Sequence, residues 1–228
     1  MTAIFAYAKG NNSAIASDRK RTCREGVILY EDVKKVARWR DSIPFSGAGA
    51  SGFIDKIRNY LTDDAANKDY PISSTGIKDA LDSATRNIKS ELRESGKSDD
   101  EIYKLVHGTI IAAFPSYLTE DSFIFKYSLR DEKGSKILST ITTAGSDTDA
   151  FQIIAIGELS SQSASAAFNL DIWAANCIKT AHLACPKYVS ASFDLNYTSV
   201  TEEGNFQHIE DGYSAFPISP NARFTISW

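Results

Sequence analysis

The stretch TAIFAYAKGNNSAIASD, residues 2–18, decides how the rest of the chain is read. Segments 3–8 (AIFAYA) and 14–17 (AIAS) have strand character. The residues between them, Lys9-Gly10-Asn11-Asn12-Ser13, tolerate the positive φ of a tight turn. A hairpin closing there returns Asp18 to the level of the chain's start. Thr2 is small enough that Met1 is normally removed ahead of it, leaving a free α-amine on a residue that also carries a hydroxyl. A hydroxyl is a poor nucleophile until a base takes its proton. An α-amine, with an ordinary pKa of about 7.7–8.0, can act as that base at neutral pH. The hairpin thus gathers a candidate nucleophile, its own base and a carboxylate.

Working outward, 26–30 (GVILY) and 33–39 (VKKVARW) read as a second strand pair around Glu31-Asp32, followed by a strand at 43–47 (IPFSG). Side chains alternate along a strand, so one of Lys34 and Lys35 points inward. A buried lysine beside Asp18 stays charged, lowers the amine's pKa and polarises the Thr2 hydroxyl. Ser51 reads as the N-cap of a helix with Phe53, Ile54, Ile57, Tyr60 and Leu61 on one face. A second helix over about 75–95 carries Ile77, Leu81, Ala84, Ile88 and Leu92 on one stripe, with charge opposite. A short helix begins near Ser98-Asp99-Asp100, an acidic first turn suited to the helix dipole. Strand character returns at 109–114, 122–129, 137–142 and 150–156. A third helix spans about 163–184, and strands follow near 189–199, 205–209 and 222–227. This order predicts an α+β protein of antiparallel hairpins, a four-layer αββα sandwich if the strands make two sheets. No repeat or linker divides the chain, so residues 1–228 are expected to form one domain, enlarged by a helical region at about 62–108.

Composition narrows the class. Apolar residues make up 43% and charged residues 24%, ordinary values for a globular protein. No apolar run reaches the roughly 18–20 residues of a spanning helix. The start MTAIFAYAKGNN lacks a basic segment ahead of an apolar one, which predicts a cytoplasmic protein. Three cysteines, Cys23, Cys177 and Cys185, have no paired metal-ligand spacing and read as free thiols. A net charge of −4 disfavours nucleic acid as a partner.

The stretches TAIFAYAKGNNSAIASDRKRT, DVKKV and FSGAGAS resemble the opening of proteasome β-subunits and of the bacterial HslV peptidase, over about residues 2–62. Those proteins begin with a nucleophilic threonine, carry an acid sixteen positions later and then a lysine before an aliphatic residue. Asp18 follows Thr2 at that spacing. The resemblance assigns the lysine to Lys35, with Lys34 second, and the oxyanion-binding N–H to Gly47, with Gly49 second. It implies an N-terminal-nucleophile hydrolase cutting peptide bonds, without metal or organic cofactor. It also implies a homo-oligomeric ring that encloses its sites, takes peptide or unfolded protein, and is fed by an ATP-dependent unfoldase. Two supporting serines are placed by the same resemblance. Where the family has Gly-Ser-Gly-Ser, this chain has Gly157-Glu158-Leu159-Ser160, leaving Ser160. Where the family has an Asp–Ser pair, Pro186-Lys187-Tyr188-Val189-Ser190 leaves only Ser190. These departures keep two alternatives open: a non-catalytic structural subunit of the same fold, and a hydrolase of small amides.

Other motifs weigh less. Gly47-Ala48-Gly49-Ala50-Ser51-Gly52 satisfies GxGxxG, but hairpin-like strands precede it and no strand ending in an acid follows. His107, His182 and His208 are too scattered to hold a metal. The cluster Arg19-Lys20-Arg21, with Arg24, reads as a solvated loop that in a peptidase edges the substrate cleft.

Overall fold

The hairpin forms as β1 (Ala3–Lys9) and β2 (Asn12–Asp18), with Lys9 opposite Asn12 and Gly10 at φ 53 in the two-residue loop. A computed structural model describes residues 2–22, 28–30, 33–118, 120–145, 147–163, 167–214 and 225–227. After the hairpin come β3 (Arg21–Thr22) and β4 (Ile28–Tyr30), which pair with each other, then β5 (Val36–Trp39) and β6 (Ile43–Gly49). The expected pairing of 26–30 with 33–39 does not occur. Instead β5 turns back onto β6 through Arg40 and Asp41, both at positive φ, so that Val36 lies opposite Ser46.

Helices α1 (Ser51–Leu61), α2 (Asp64–Asn67), α3 (Ser74–Glu94) and α4 (Asp99–Leu105) follow. Ser51 is the first helical residue and not the cap; Ala50 holds that position without a side-chain bond. Ser73 caps α3, and Ser98 with Glu101 forms a reciprocal capping box on α4. The stripe Ile77, Leu81, Ala84 and Ile88 is buried, as its period predicts.

The chain continues through β7 (Gly108–Phe114), β8 (Phe123–Ser128), β9 (Lys133–Ile137), β10 (Ile141–Gly145), α5 (Thr148–Ser163), β11 (Ala167–Asn169) and α6 (Leu170–Ala184). It closes with β12 (Ser192–Val200), β13 (Phe206–Ser214) and β14 (Thr225–Ser227). Two expectations fail here. Segment 137–142 straddles the turn between β9 and β10, and 150–156 (AFQIIAI) lies inside α5. A short apolar run fits a strand or a buried helix equally well, and here Phe151 and Ala155, four residues apart, are the buried pair that sets the helical face. The expected helix over 163–184 begins only at Leu170, where the Asn169 side chain accepts the Ile172 N–H.

The strands make two antiparallel five-stranded sheets, ordered β10-β1-β2-β12-β13 and β5-β6-β7-β8-β9, with two-stranded pairs β3-β4 and β11-β14. Three apolar clusters bind them. One joins Phe5, Tyr7, Ala14 and Leu195 of the first sheet to Phe151 of α5 and Trp173 and Ile178 of α6. A second joins Phe45, Ile110, Ala112 and Phe125 of the second sheet to Ile54 and Ile57 of α1 and Leu81 of α3. The third joins Ile4, Ala6 and Ile15 to Val36, Ile111 and Ile124, so strands of the two sheets share one core. No helix among the described residues is long and apolar enough to cross a membrane.

Candidate functional site

The site forms where the start of β1, the end of β2 and the residue before β5 converge. Asp18 is fully buried at the end of β2, and its Oδ1 accepts the Ala3 N–H at 2.8 Å, which fixes the chain next to Thr2. Lys35, 4% exposed, donates from Nζ to Asp18 Oδ1 and to Thr2 Oγ1, each at 3.1 Å, and also to the Lys20 carbonyl. Among the two lysines, Lys35 is therefore the one turned inward; Lys34 is exposed. Burial pulls the Lys35 ammonium below the ordinary lysine value. Asp18 opposes that fall, and the Arg21 and Arg58 charges add to it. Its proton is correspondingly easier to share with a neighbouring oxygen.

Asp18 is held from several sides. Its Oδ2 accepts the Lys20 N–H at 2.9 Å and the Ser190 N–H at 3.3 Å. Ser190 thus reaches the site through its backbone, while its Oγ accepts the Ser192 N–H at 3.1 Å and shapes the bend into β12. Sequence reasoning passed over Asp194, 2% exposed on β12. Its Oδ1 accepts Arg19 Nε at 2.9 Å and Nη2 at 2.6 Å, and its Oδ2 accepts the Lys35 N–H at 3.3 Å. One carboxylate therefore clamps both the loop after Asp18 and the backbone of Lys35. In the sequence, Phe193-Asp194-Leu195-Asn196-Tyr197 alternates apolar and polar residues and reads as a strand with Asp194 toward solvent, yet Asp194 and Asn196 are both buried. Asp194→Ala strands a part-buried guanidinium, and a loss of about 2–4 kcal/mol in unfolding free energy is expected by denaturant titration.

The glycines divide by environment. Gly47 lies on β6 opposite Ile110, one position beyond the Val36–Ser46 pair and so level with Lys35. A Cβ there would meet Ile110 Cδ1 at 2.7 Å and Ile54 Cγ2 at 2.9 Å. Gly49, at φ +146, passes so close to the 107–108 backbone that a Cβ would lie 2.4 Å from the His107 carbonyl. Strand packing accounts for Gly47 and Gly49, the first two glycines of the GxGxxG string. Gly145, which sequence reasoning missed, sits opposite Ala3 at φ +143, and a Cβ there would fall 1.9 Å from the Thr2 carbonyl oxygen. The turn that abuts Thr2 is therefore the one between β10 and α5, and the string Gly157-Glu158-Leu159-Ser160 lies further along α5. Ser160 is exposed about 18 Å along the helix axis from Thr148, and the structure does not bring it to Thr2. Ser146, next to Gly145, lies outside the described residues.

A second charged group borders the site. Arg21 Nη2 and Arg58 Nη1 both donate to Asp55 Oδ1, at 2.9 Å and 3.0 Å, and Arg58 Nη2 donates to the Lys35 carbonyl at 3.4 Å.

No protein-family model matches the sequence, and no curated protein is similar to it by sequence. Solved structures do resemble it. Eukaryotic HslV from Trypanosoma brucei superposes with a TM-score of 0.55 at 14% identity, covering 86% of this chain and 98% of that one. At that identity the likeness is one of fold: the chain has a fold similar to that of HslV.

Proposed function

We propose that this chain is a threonine peptidase of the N-terminal-nucleophile type, a single domain whose three apolar clusters stack as αββα layers. One observation carries the reading: Lys35 Nζ bridges Thr2 Oγ1 and Asp18 Oδ1 in a buried setting. A lysine that donates to a threonine oxygen lowers the cost of negative charge there, and the carboxylate keeps that lysine aimed.

In this reading Met1 is removed and the freed Thr2 α-amine becomes the base. Thr2 Oγ attacks the scissile carbonyl carbon while the amine takes the hydroxyl proton. The carbonyl oxygen gains charge and is received by the Gly47 N–H. When the tetrahedral intermediate collapses, the peptide nitrogen leaves with the proton carried by the amine, and an ester links the acyl group to Thr2. Water, deprotonated by the same amine, then hydrolyses the ester. Asp18 and Lys35 are unchanged through the cycle, and no cofactor enters it.

The substrates are peptides or unfolded chains, in a cytoplasmic setting, and copies of the chain assemble into a ring served by an ATP-dependent unfoldase. The exposed Ile153 and Ile156 on α5 and Leu183 on α6 supply apolar surface for contacts between copies.

The test is the intact mass of the purified protein before and after treatment with a peptide epoxyketone, which needs both a free α-amine and the adjacent hydroxyl. The expected result is a chain without Met1 that gains one adduct, while Thr2→Ala gains none. A processed chain that never reacts would favour the non-catalytic subunit or the small-amide hydrolase. A chain that keeps Met1 and forms no adduct would rule the mechanism out.

A further inference from the structure

We propose that the cleft beside Thr2 is built to receive a carboxylate, so that this peptidase cuts after acidic residues. The inference rests on the Thr2 reading above and adds the substrate class.

The observation is a pair of guanidiniums on one carboxylate beside the lysine that bonds Thr2. Arg21 and Arg58, whose side chains are 20% and 18% exposed, converge on a single oxygen of Asp55. Among the described residues, Asp55 is the one carboxylate that pairs with either guanidinium. Each guanidinium has five donors in a rigid fork, so the shared Asp55 oxygen, with the Lys35 carbonyl for Arg58, leaves donors over on both; Asp194 also acts on Arg58 by its charge. The two cations repel each other, and both act on Lys35, which places them within electrostatic range of the reacting centre. Arg58 also walls a cavity of about 320 Å³ with Lys34, Ala37, Arg38 and Asp41.

Position selects which part of a substrate meets these groups. The Arg58 guanidinium reaches the Lys35 carbonyl, and the Lys35 ammonium reaches Thr2 Oγ1, so one lysine separates the arginine from the nucleophile. A scissile carbonyl seated on Thr2, with its oxygen toward Gly47, places the residue that bears it over Lys35. That residue's side chain then falls toward β3 and α1, where Arg21 and Arg58 stand. A glutamate or aspartate there gains charge-assisted bonds in a partly desolvated cleft, a leucine leaves the donors unmet, and a lysine adds a third cation.

Three peptide amides that differ only in the residue before the cleaved bond, Glu, Leu or Lys, test this on the full chain. Epoxyketones carrying the same three residues are run in parallel. We expect kcat/KM for Glu to exceed that for Leu by about tenfold or more, with Lys lowest. Arg21→Met and Arg58→Met should each cut the Glu-to-Leu ratio by about tenfold. Arg21 joins β3 to α1 at the rim, so its variant serves if Arg58→Met does not fold. Thr2-dependent cleavage that prefers Leu or Lys, or a ratio unmoved by both arginine variants, would overturn the inference and leave the Thr2 reading standing. Failure of all three epoxyketones to label Thr2 would overturn the reading and the inference together.

Discussion

Lys35→Met is expected to lower peptide hydrolysis by about a thousandfold and to destabilise the fold by about 3–5 kcal/mol. The two effects have different origins. On the proposed mechanism, catalysis falls because Thr2 Oγ1 loses the donor 3.1 Å away that would offset its developing charge, while the α-amine is left to act as base alone. Stability falls because Asp18, fully buried, loses the cation that pairs with its carboxylate. Asp18 retains three backbone donors, from Ala3, Lys20 and Ser190, which keep the β1–β2 strands aligned. The variant should therefore fold under mild conditions and bind substrate with little change in KM, the loss appearing in kcat. Denaturant midpoints and single-turnover labelling by an epoxyketone separate the two. A Lys35→Met protein that is destabilised yet labels at the parent rate would reduce Lys35 to a structural role and leave Thr2 activated by other means.

That expectation leans on residues that sequence alone placed unevenly. The hairpin 2–18 was legible because strand, turn and strand each have a local signature, and its closure brings Asp18 to Thr2 whatever the rest of the chain does. Lys35 over Lys34 was legible only as a choice of one from two. What decides it is the β5–β6 register, with Val36 opposite Ser46, and the Asp194 carboxylate on the Lys35 N–H. Asp194 is 159 residues from Lys35 in sequence, so no local pattern announces the contact. The reading of 150–156 as a strand failed for a related reason. Its run Phe151-Gln152-Ile153-Ile154-Ala155-Ile156 is apolar on nearly every position, and the choice between periods is made by packing of Phe151 on Phe5 across the first sheet. With that run read as a strand, Gly157 stands at the turn after it; in the structure the turn that abuts Thr2 lies before the run, at Gly145. The α3 stripe and the Ser98–Glu101 capping box fared better, since their causes lie within a few residues of each other.

Gly145→Ala is expected to cost about 3 kcal/mol of stability and a hundredfold or more in activity, although residue 145 carries no reactive group. At φ +143 the backbone is already in a region that L side chains rarely adopt. The added methyl would also lie 1.9 Å from the Thr2 carbonyl oxygen, 3.0 Å from its carbon and 2.9 Å from Phe151 Cε2. Neither side of that contact yields cheaply. Phe151 is packed against Phe5 in the core, and the Thr2 peptide is pinned by the Ala3 N–H bond to Asp18. Something must shift, and Thr2 lies directly against the new methyl. A displacement of about 1 Å there lengthens the Lys35–Oγ1 bond and turns the α-amine away from its own hydroxyl, which is where a hundredfold loss arises. Gly157→Ala provides the control: it stands mid-helix in open space, and the alanine should raise stability by up to about 1 kcal/mol with activity unchanged. Thermal unfolding and epoxyketone labelling rates read both variants. If Gly145→Ala labels as fast as the parent protein, the β10–α5 turn is not what holds Thr2 in place, and its position must be set by Asp18 and Lys35.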